Sequence, residues 1–78
     1  MTHHFFHIRS ETLFADEEGQ TLRSEAVPAE AQAVALEIIG DGLKGGQDRR
    51  RWRIEVADRL GRIVLNETLE QAAGIHDR

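Results

Sequence analysis

The chain of 78 residues contains no cysteine, no tyrosine and a single proline, and only 5 % of its residues are aromatic. Without cysteine, it cannot form the disulfides that stabilise small secreted domains. It also has no segment near the roughly 18 apolar residues of a membrane-spanning helix. Its first seven residues lack the cationic start and the apolar run of a signal peptide. We therefore expect a cytoplasmic protein that is neither inserted into a membrane nor anchored to one.

The residues that are present have the composition of a globular domain, with 40 % hydrophobic and 31 % charged residues. We expect one domain over residues 1–78, with an ordered core over about residues 4–73 and a frayed end from Gly74. A chain of this size buries only about 60 % of its unfolded surface on folding. Its stability margin is therefore thin, and a second copy would increase it.

The apolar pattern of the first 22 residues predicts strands, because side chains that alternate along the chain point to opposite faces of a sheet. We predict a strand over residues 4–10, with Phe6 and Ile8 on one face and Phe5, His7 and Arg9 on the other. A second short strand is predicted over residues 12–15. A solvent-exposed turn over residues 16–19 follows, and residues 20–22 extend or resume the pairing.

A helical spacing of small and apolar residues follows, which predicts one amphipathic helix of about four turns. Its start is open between an N-cap at Ser24 and a first residue at Pro28. Four glycines from Gly40 onward are expected to end the helix. The residues expected to face the sheet are Ala31, Val34, Ala35, Ile38 and Gly42.

The second half predicts an antiparallel hairpin, because alternating runs flank a turn over residues 58–61. The face expected to be apolar carries Trp52, Ile54, Val56, Ile63 and Leu65. The opposite face carries Arg51, Arg53, Glu55 and Val64. Thr68 and Gln71 have the spacing of a capping box, so residues 69–73 can form a short last helix.

Together these elements predict an α+β domain of ββαββ order, in which a single antiparallel sheet has one helix on one face. The helix leaves the other face of the sheet uncovered, and Phe5 would be exposed there in a monomer.

Residue patterns that resemble reactive or metal-binding sites do not meet the geometry that such sites need. His3 and His4 would point to opposite faces of a strand, and about 13 Å would separate His3 from His7. That distance is too large for one zinc ion. A calcium loop would need further ligands after the acids of residues 16–18, and the sequence has none there. The glycines of residues 40–46 follow a helix, whereas the glycines of a phosphate-binding loop precede one. We predict no catalytic, metal-binding or cofactor-binding residue and no enzymatic activity.

The uncovered face and a basic segment are the remaining candidates for function. We expect a protein-interaction module that self-associates, most simply as a homodimer, through this face or a sheet edge. An unidentified protein partner is the other expectation. The predicted partner-binding residues are Phe5, His7, Arg9, Arg51, Arg53 and Val64. The alternative is a nucleic-acid or regulatory binding domain that uses the basic segment of residues 49–53, although a net charge of −4 disfavours nucleic acid.

Several segments also carry a resemblance to a known family. They are residues 5–9, residues 16–19, the helix with Glu30 and Ala31, and residues 52–65 with Asp58 and Gly61. In this order they resemble a family of short bacterial proteins of unknown function that is abundant in rhizobia and related alphaproteobacteria. The family often has Asp-Gly where this chain has Ser10 and Glu11. The resemblance implies a fold and no catalytic residue. The element order also looks like the partner-binding domain of HicB-type antitoxins, an analogy of architecture alone.

Overall fold

The computed structural model describes residues 1–75, so the last three residues of the predicted frayed end lie outside the described part. The described strands are β1 (Thr2–Arg9), β2 (Leu13–Phe14), β3 (Gln20–Leu22), β4 (Arg53–Asp58) and β5 (Ile63–Thr68). The described helices are α1 (Val27–Lys44) and α2 (Leu69–Ala73). A short 3₁₀ turn, Ser24–Ala26, leads into α1. Gly74, with φ of 77°, ends α2 in the left-handed conformation.

The strands form one antiparallel sheet, in which β1 and β4 are central and β5 is an edge. β2 and β3 both pair with β1 along the other edge, β2 at one end of β1 and β3 at the other. Residues 15–19 interrupt this edge between the two short strands. The structure therefore confirms the predicted α+β fold with a single antiparallel sheet.

The core lies between one face of the sheet and the two helices. Ile54 and Val56 of β4 are fully buried there, beside Phe6 of β1. Trp52 is half-buried at the margin and stacks on Phe14, with the ring centroids 6.1 Å apart. The alternation predicted for β1 and β4 is thus confirmed.

The start of α1 differs from both sequence-based alternatives. Ser24 does not cap the helix; it is the first residue of the 3₁₀ turn, and no side chain caps either segment. α1 begins at Val27, so Pro28 lies in the first turn, where its missing N–H leaves no hydrogen bond unmade. Because the helix continues to Lys44, Gly40 and Gly42 lie inside it.

The prediction that Ile63 belongs to the core is wrong. Val56 pairs with Leu65, but the next residue, Ala57, pairs with Ile63. This β-bulge inserts Val64 as an extra residue and shifts the alternation of β5. Ile63 therefore lies on the other face of the sheet, with 52 % of its surface exposed.

The short helix α2 has the predicted bounds and cap. The Thr68 hydroxyl accepts from the Gln71 amide at 3.1 Å, and the Gln71 side chain accepts from the Thr68 amide at 2.9 Å. α2 also supplies Leu69, a fully buried core residue that the sequence analysis missed. Within residues 1–75, neither helix combines the length and the apolar character needed to cross a bilayer.

Candidate interaction surface

The face of the sheet turned away from the helices is organised in rows that run across the strands. We call it the open face. Strand register places Phe5, Ala57 and Ile63 in one row, and His7, Glu55 and Asn66 in the next. A third row consists of Arg9, Arg53 and Thr68. The open face is therefore apolar at one end and basic at the other.

Phe5 is the largest residue of the apolar row. It is half-buried rather than fully exposed, because its ring lies between those of His3 and His7. The ring centroids are 5.0 Å apart for His3 and Phe5, and 6.3 Å apart for Phe5 and His7. Gly19 also lies against this cluster, since a Cβ added to it would come within 2.8 Å of the Phe5 ring. Phe5 is thus held in one position on the open face.

Asp16 replaces the hydrogen bonds that the interrupted edge strand cannot make. Its carboxylate accepts from the amides of Phe6 at 3.1 Å and Gly19 at 2.9 Å. Its own amide donates to Nδ1 of His7 at 3.0 Å. The side chain therefore ties the turn of residues 16–19 to β1 where β2 and β3 do not pair.

The environment of Asp16 changes its pKa. Partial burial acts to raise the pKa, but hydrogen bonds from backbone amides, with that of Gly19 the largest, and the charge of His7 act to lower it. The net effect is a pKa below the usual value for aspartate. The carboxylate is thus stabilised in the charged form that accepts these bonds.

Two of the histidines that the sequence analysis rejected as metal ligands, His3 and His7, hold this turn. His3 donates through Nε2 to the Glu18 carbonyl at 2.6 Å, and its Nδ1 lies 3.2 Å from the Thr21 hydroxyl. His4 lies on the opposite, buried face, as strand alternation predicts. Within residues 1–75, no three histidine or acidic residues are grouped as metal ligands would be.

The arginines at the basic end differ in how far they are already paired. Arg9 forms an ion pair with Glu55 at 3.0 Å, and Arg53 donates to the Asn66 side-chain oxygen at 3.0 Å. Arg51 is exposed and makes neither an ion pair nor a side-chain hydrogen bond within residues 1–75. Arg51 and Arg53 therefore present charge that no carboxylate of the described chain neutralises by a direct contact.

The first two arginines of the basic segment serve the local structure. Arg49 lies over the Trp52 ring at 4.9 Å and donates to the Gln47 side chain at 2.7 Å. Arg50 donates to both carboxylate oxygens of Asp48 at 3.0 Å. This contact is the main reason that the pKa of Asp48 is lowered to about 2.

Two structural roles were missed from the sequence. Asp16 was interpreted as part of a solvated turn, although an acid three residues before a glycine can accept amide hydrogen bonds. His4 was not assigned to the core, although its alternation with Phe6 and Ile8 indicates the buried face. The shift of Ile63 to the open face had no such signal, because a bulge is not visible in the alternation itself.

The fold and this surface define a small α+β domain whose antiparallel sheet is covered by helices on one face and left uncovered on the other. The chain belongs to the family described as "Domain of unknown function (DUF6894)", which matches residues 3–70. No curated protein and no solved structure has a significant match to the chain. The match agrees with the resemblance to an uncharacterised family, while the bacterial distribution that the resemblance implies stays a prediction.

Proposed function

We propose that this domain is a non-enzymatic interaction module that forms a two-fold homodimer through the open face. The observation that carries the proposal is the apolar row, in which Ile63 is 52 % exposed beside Phe5 and the buried Ala57. Association is favourable when a partner covers a large exposed apolar side chain, because apolar surface is removed from water. We also retain the prediction that the protein is cytoplasmic.

The distribution of charge supports a second copy as the partner. A two-fold interface brings the same patch of two subunits together, so the patch must be complementary to itself. Phe5 and Arg9, four positions apart on β1, are separated by about 13 Å along the strand. A two-fold axis that runs along the apolar row therefore brings the two apolar rows together and sets the basic ends of the two faces on opposite sides of the axis. The arginines of the two copies then do not oppose each other.

The histidines of the open face support a binding role over acid-base catalysis. Nε2 of His3 and Nδ1 of His7 contact the turn of residues 16–19, and Nδ1 of His3 lies beside the Thr21 hydroxyl of β3. A general acid or base needs a ring nitrogen within hydrogen-bonding reach of its substrate. In this arrangement these rings instead fix the position of Phe5.

The test compares two surface variants that differ only in the face they change. Ile63→Glu places a charge on the open face, and Leu36→Glu places one on the outer side of α1, where Leu36 is 49 % exposed. Sedimentation velocity over a range of concentrations is expected to show a dimer for the wild type and for Leu36→Glu. Ile63→Glu is expected to be monomeric, because burying an unpaired carboxylate in the interface is unfavourable.

A wild type that stays monomeric throughout the range contradicts the proposal. So does an Ile63→Glu variant that dimerises as strongly as Leu36→Glu. Circular dichroism of both variants shows whether each keeps the fold.

The competing function is nucleic-acid binding through the basic segment. Arg51 and Arg53 favour it, since no carboxylate contacts them within the described residues. Arg49 and Arg50 oppose it, because both are engaged within the chain. Under our proposal, a labelled oligonucleotide shows no mobility shift. A salt-sensitive shift that is lost in Arg51→Gln and Arg53→Gln would support the competing function instead.

A further inference from the structure

An open cleft of about 750 Å³ lies at the end of the sheet where β1 begins and the β4–β5 turn closes. It is distinct from the apolar row of the open face. Its walls include Met1, Leu60 and Val64, three large apolar side chains that are all more than half exposed. Exposed apolar side chains grouped around one concavity are typical of a ligand site.

His4 lines this cleft and has 3 % of its surface exposed. Its Nδ1 donates to the Thr2 carbonyl at 3.1 Å, which leaves the Nε2 of the neutral ring as a hydrogen-bond acceptor. Nε2 has no hydrogen-bond partner within residues 1–75. In the same range, every buried polar side-chain atom has a partner. Nε2 is therefore accessible to solvent, and the cleft is where His4 is accessible.

The other polar groups of the cleft differ in what they can offer. The Asp58 carboxylate accepts from the amides of Leu60 at 2.9 Å and Arg62 at 3.0 Å, and from the Arg62 side chain at 2.9 Å. Asp58 therefore serves the turn. Arg59 makes neither an ion pair nor a hydrogen bond within the described residues, so its guanidinium can donate to a ligand.

We propose that the cleft binds a small apolar compound with a hydroxyl group of the phenol type. The hydroxyl donates to Nε2 of His4 and accepts from Arg59, while the ring packs against Leu60 and Val64. A phenol suits this pair of groups because its oxygen is both donor and acceptor and carries more negative charge than that of an aliphatic alcohol. The inference does not depend on dimerisation through the open face.

The test is a titration of the whole chain with p-cresol and with 4-methylanisole, which has the same ring but no hydroxyl donor. Amide chemical shifts are expected to change saturably at the cleft residues. The affinity for p-cresol is expected to exceed that for 4-methylanisole by about tenfold, the effect of one hydrogen bond to a poorly solvated acceptor. The ¹⁵N shift of His4 Nε2 is expected to move with p-cresol alone.

Two variants separate the hydrogen bond from the apolar wall. His4→Asn keeps a donor near the Thr2 carbonyl but removes Nε2, so it should abolish the preference for p-cresol. Leu60→Glu changes an exposed side chain, leaves His4 in place and should weaken both compounds. Equal affinities in the wild type, shifts outside the cleft, or no saturation at millimolar concentrations would overturn the proposal. An unchanged affinity in Leu60→Glu would do the same if His4→Asn failed to fold.

Discussion

At the scale of single residues, Asp16 gives the sharpest test of the fold. Its carboxylate accepts from the amides of Phe6 and Gly19, which have no other acceptor in the interrupted edge. We predict that Asp16→Ala lowers the free energy of unfolding by about 1–3 kcal/mol, because two partly buried amides lose their acceptor. Urea denaturation followed by Trp52 fluorescence measures this change.

Glu17→Ala is the matched control for that variant. Glu17 is exposed and lies in the same turn, so its substitution is expected to change the free energy of unfolding by no more than about 0.5 kcal/mol. Equal effects of the two substitutions would show that the Asp16 hydrogen bonds contribute nothing specific.

The same carboxylate predicts how stability depends on pH. Its pKa is lower in the folded chain than the value of about 3.9 expected on unfolding, so the unfolded chain binds its proton more readily. The contribution of Asp16 is therefore complete above about pH 5 and is lost as the pH falls through the folded pKa. We predict that Asp16→Asn flattens the acid side of the stability profile relative to the wild type. Parallel profiles below about pH 5 would rule out this contribution.

The residue scale also shows which properties can be predicted from the sequence. The faces of Phe5, Phe6 and His7 follow from the period of two residues in a strand. The partners of Asp16 do not, because they depend on where β2 stops and β3 begins. That point is set by the pairing with β1 in three dimensions.

At the scale of elements, the predictions hold where a short sequence motif determines the structure and fail where no local motif does. The capping box of α2 lies within four residues, and its predicted bounds are confirmed. No side chain caps the start of α1, so the usual preference of serine for the N-cap position did not predict where this helix begins. In β5 the alternation is regular, but the bulge at Val64 moves Ile63 to the open face. Local pattern cannot show a bulge that the neighbouring strand imposes.

The two glycines inside α1 give opposite predictions. A Cβ added at Gly40 meets nothing within 4 Å, whereas one added at Gly42 would lie 2.8 Å from the Gln47 carbonyl oxygen. We predict that Gly40→Ala raises the free energy of unfolding by about 0.5–1 kcal/mol, the usual helix preference of alanine over glycine. Gly42→Ala is expected to lower it, because backbone must move to relieve the contact.

Thermal or urea unfolding of these two variants beside the wild type measures both signs. Destabilisation by Gly40→Ala would contradict the open space around Gly40, and stabilisation by Gly42→Ala would contradict the packing of the 45–47 loop against α1.

At the scale of the whole molecule, a helix layer on one side leaves a small domain with one sheet face in water. The sequence predicted this architecture and placed Phe5, His7, Arg9 and Arg53 on the uncovered face. Val64 lies at the bulge, where it is 51 % exposed, and lines the cleft with His4. The row that joins Phe5 to Ile63 could not be predicted, because it depends on a bulge and on the order of strands.

The most direct test of the central claim is an isotope-filtered NMR measurement on a mixture of labelled and unlabelled chains. Only contacts between two subunits give signals in this experiment. We predict intersubunit contacts from the Phe5 ring and the Ile63 methyl groups to residues of the partner's open face. Contacts from Leu36 or Leu43 on the outer side of α1, or no intersubunit contacts at high concentration, would contradict the account.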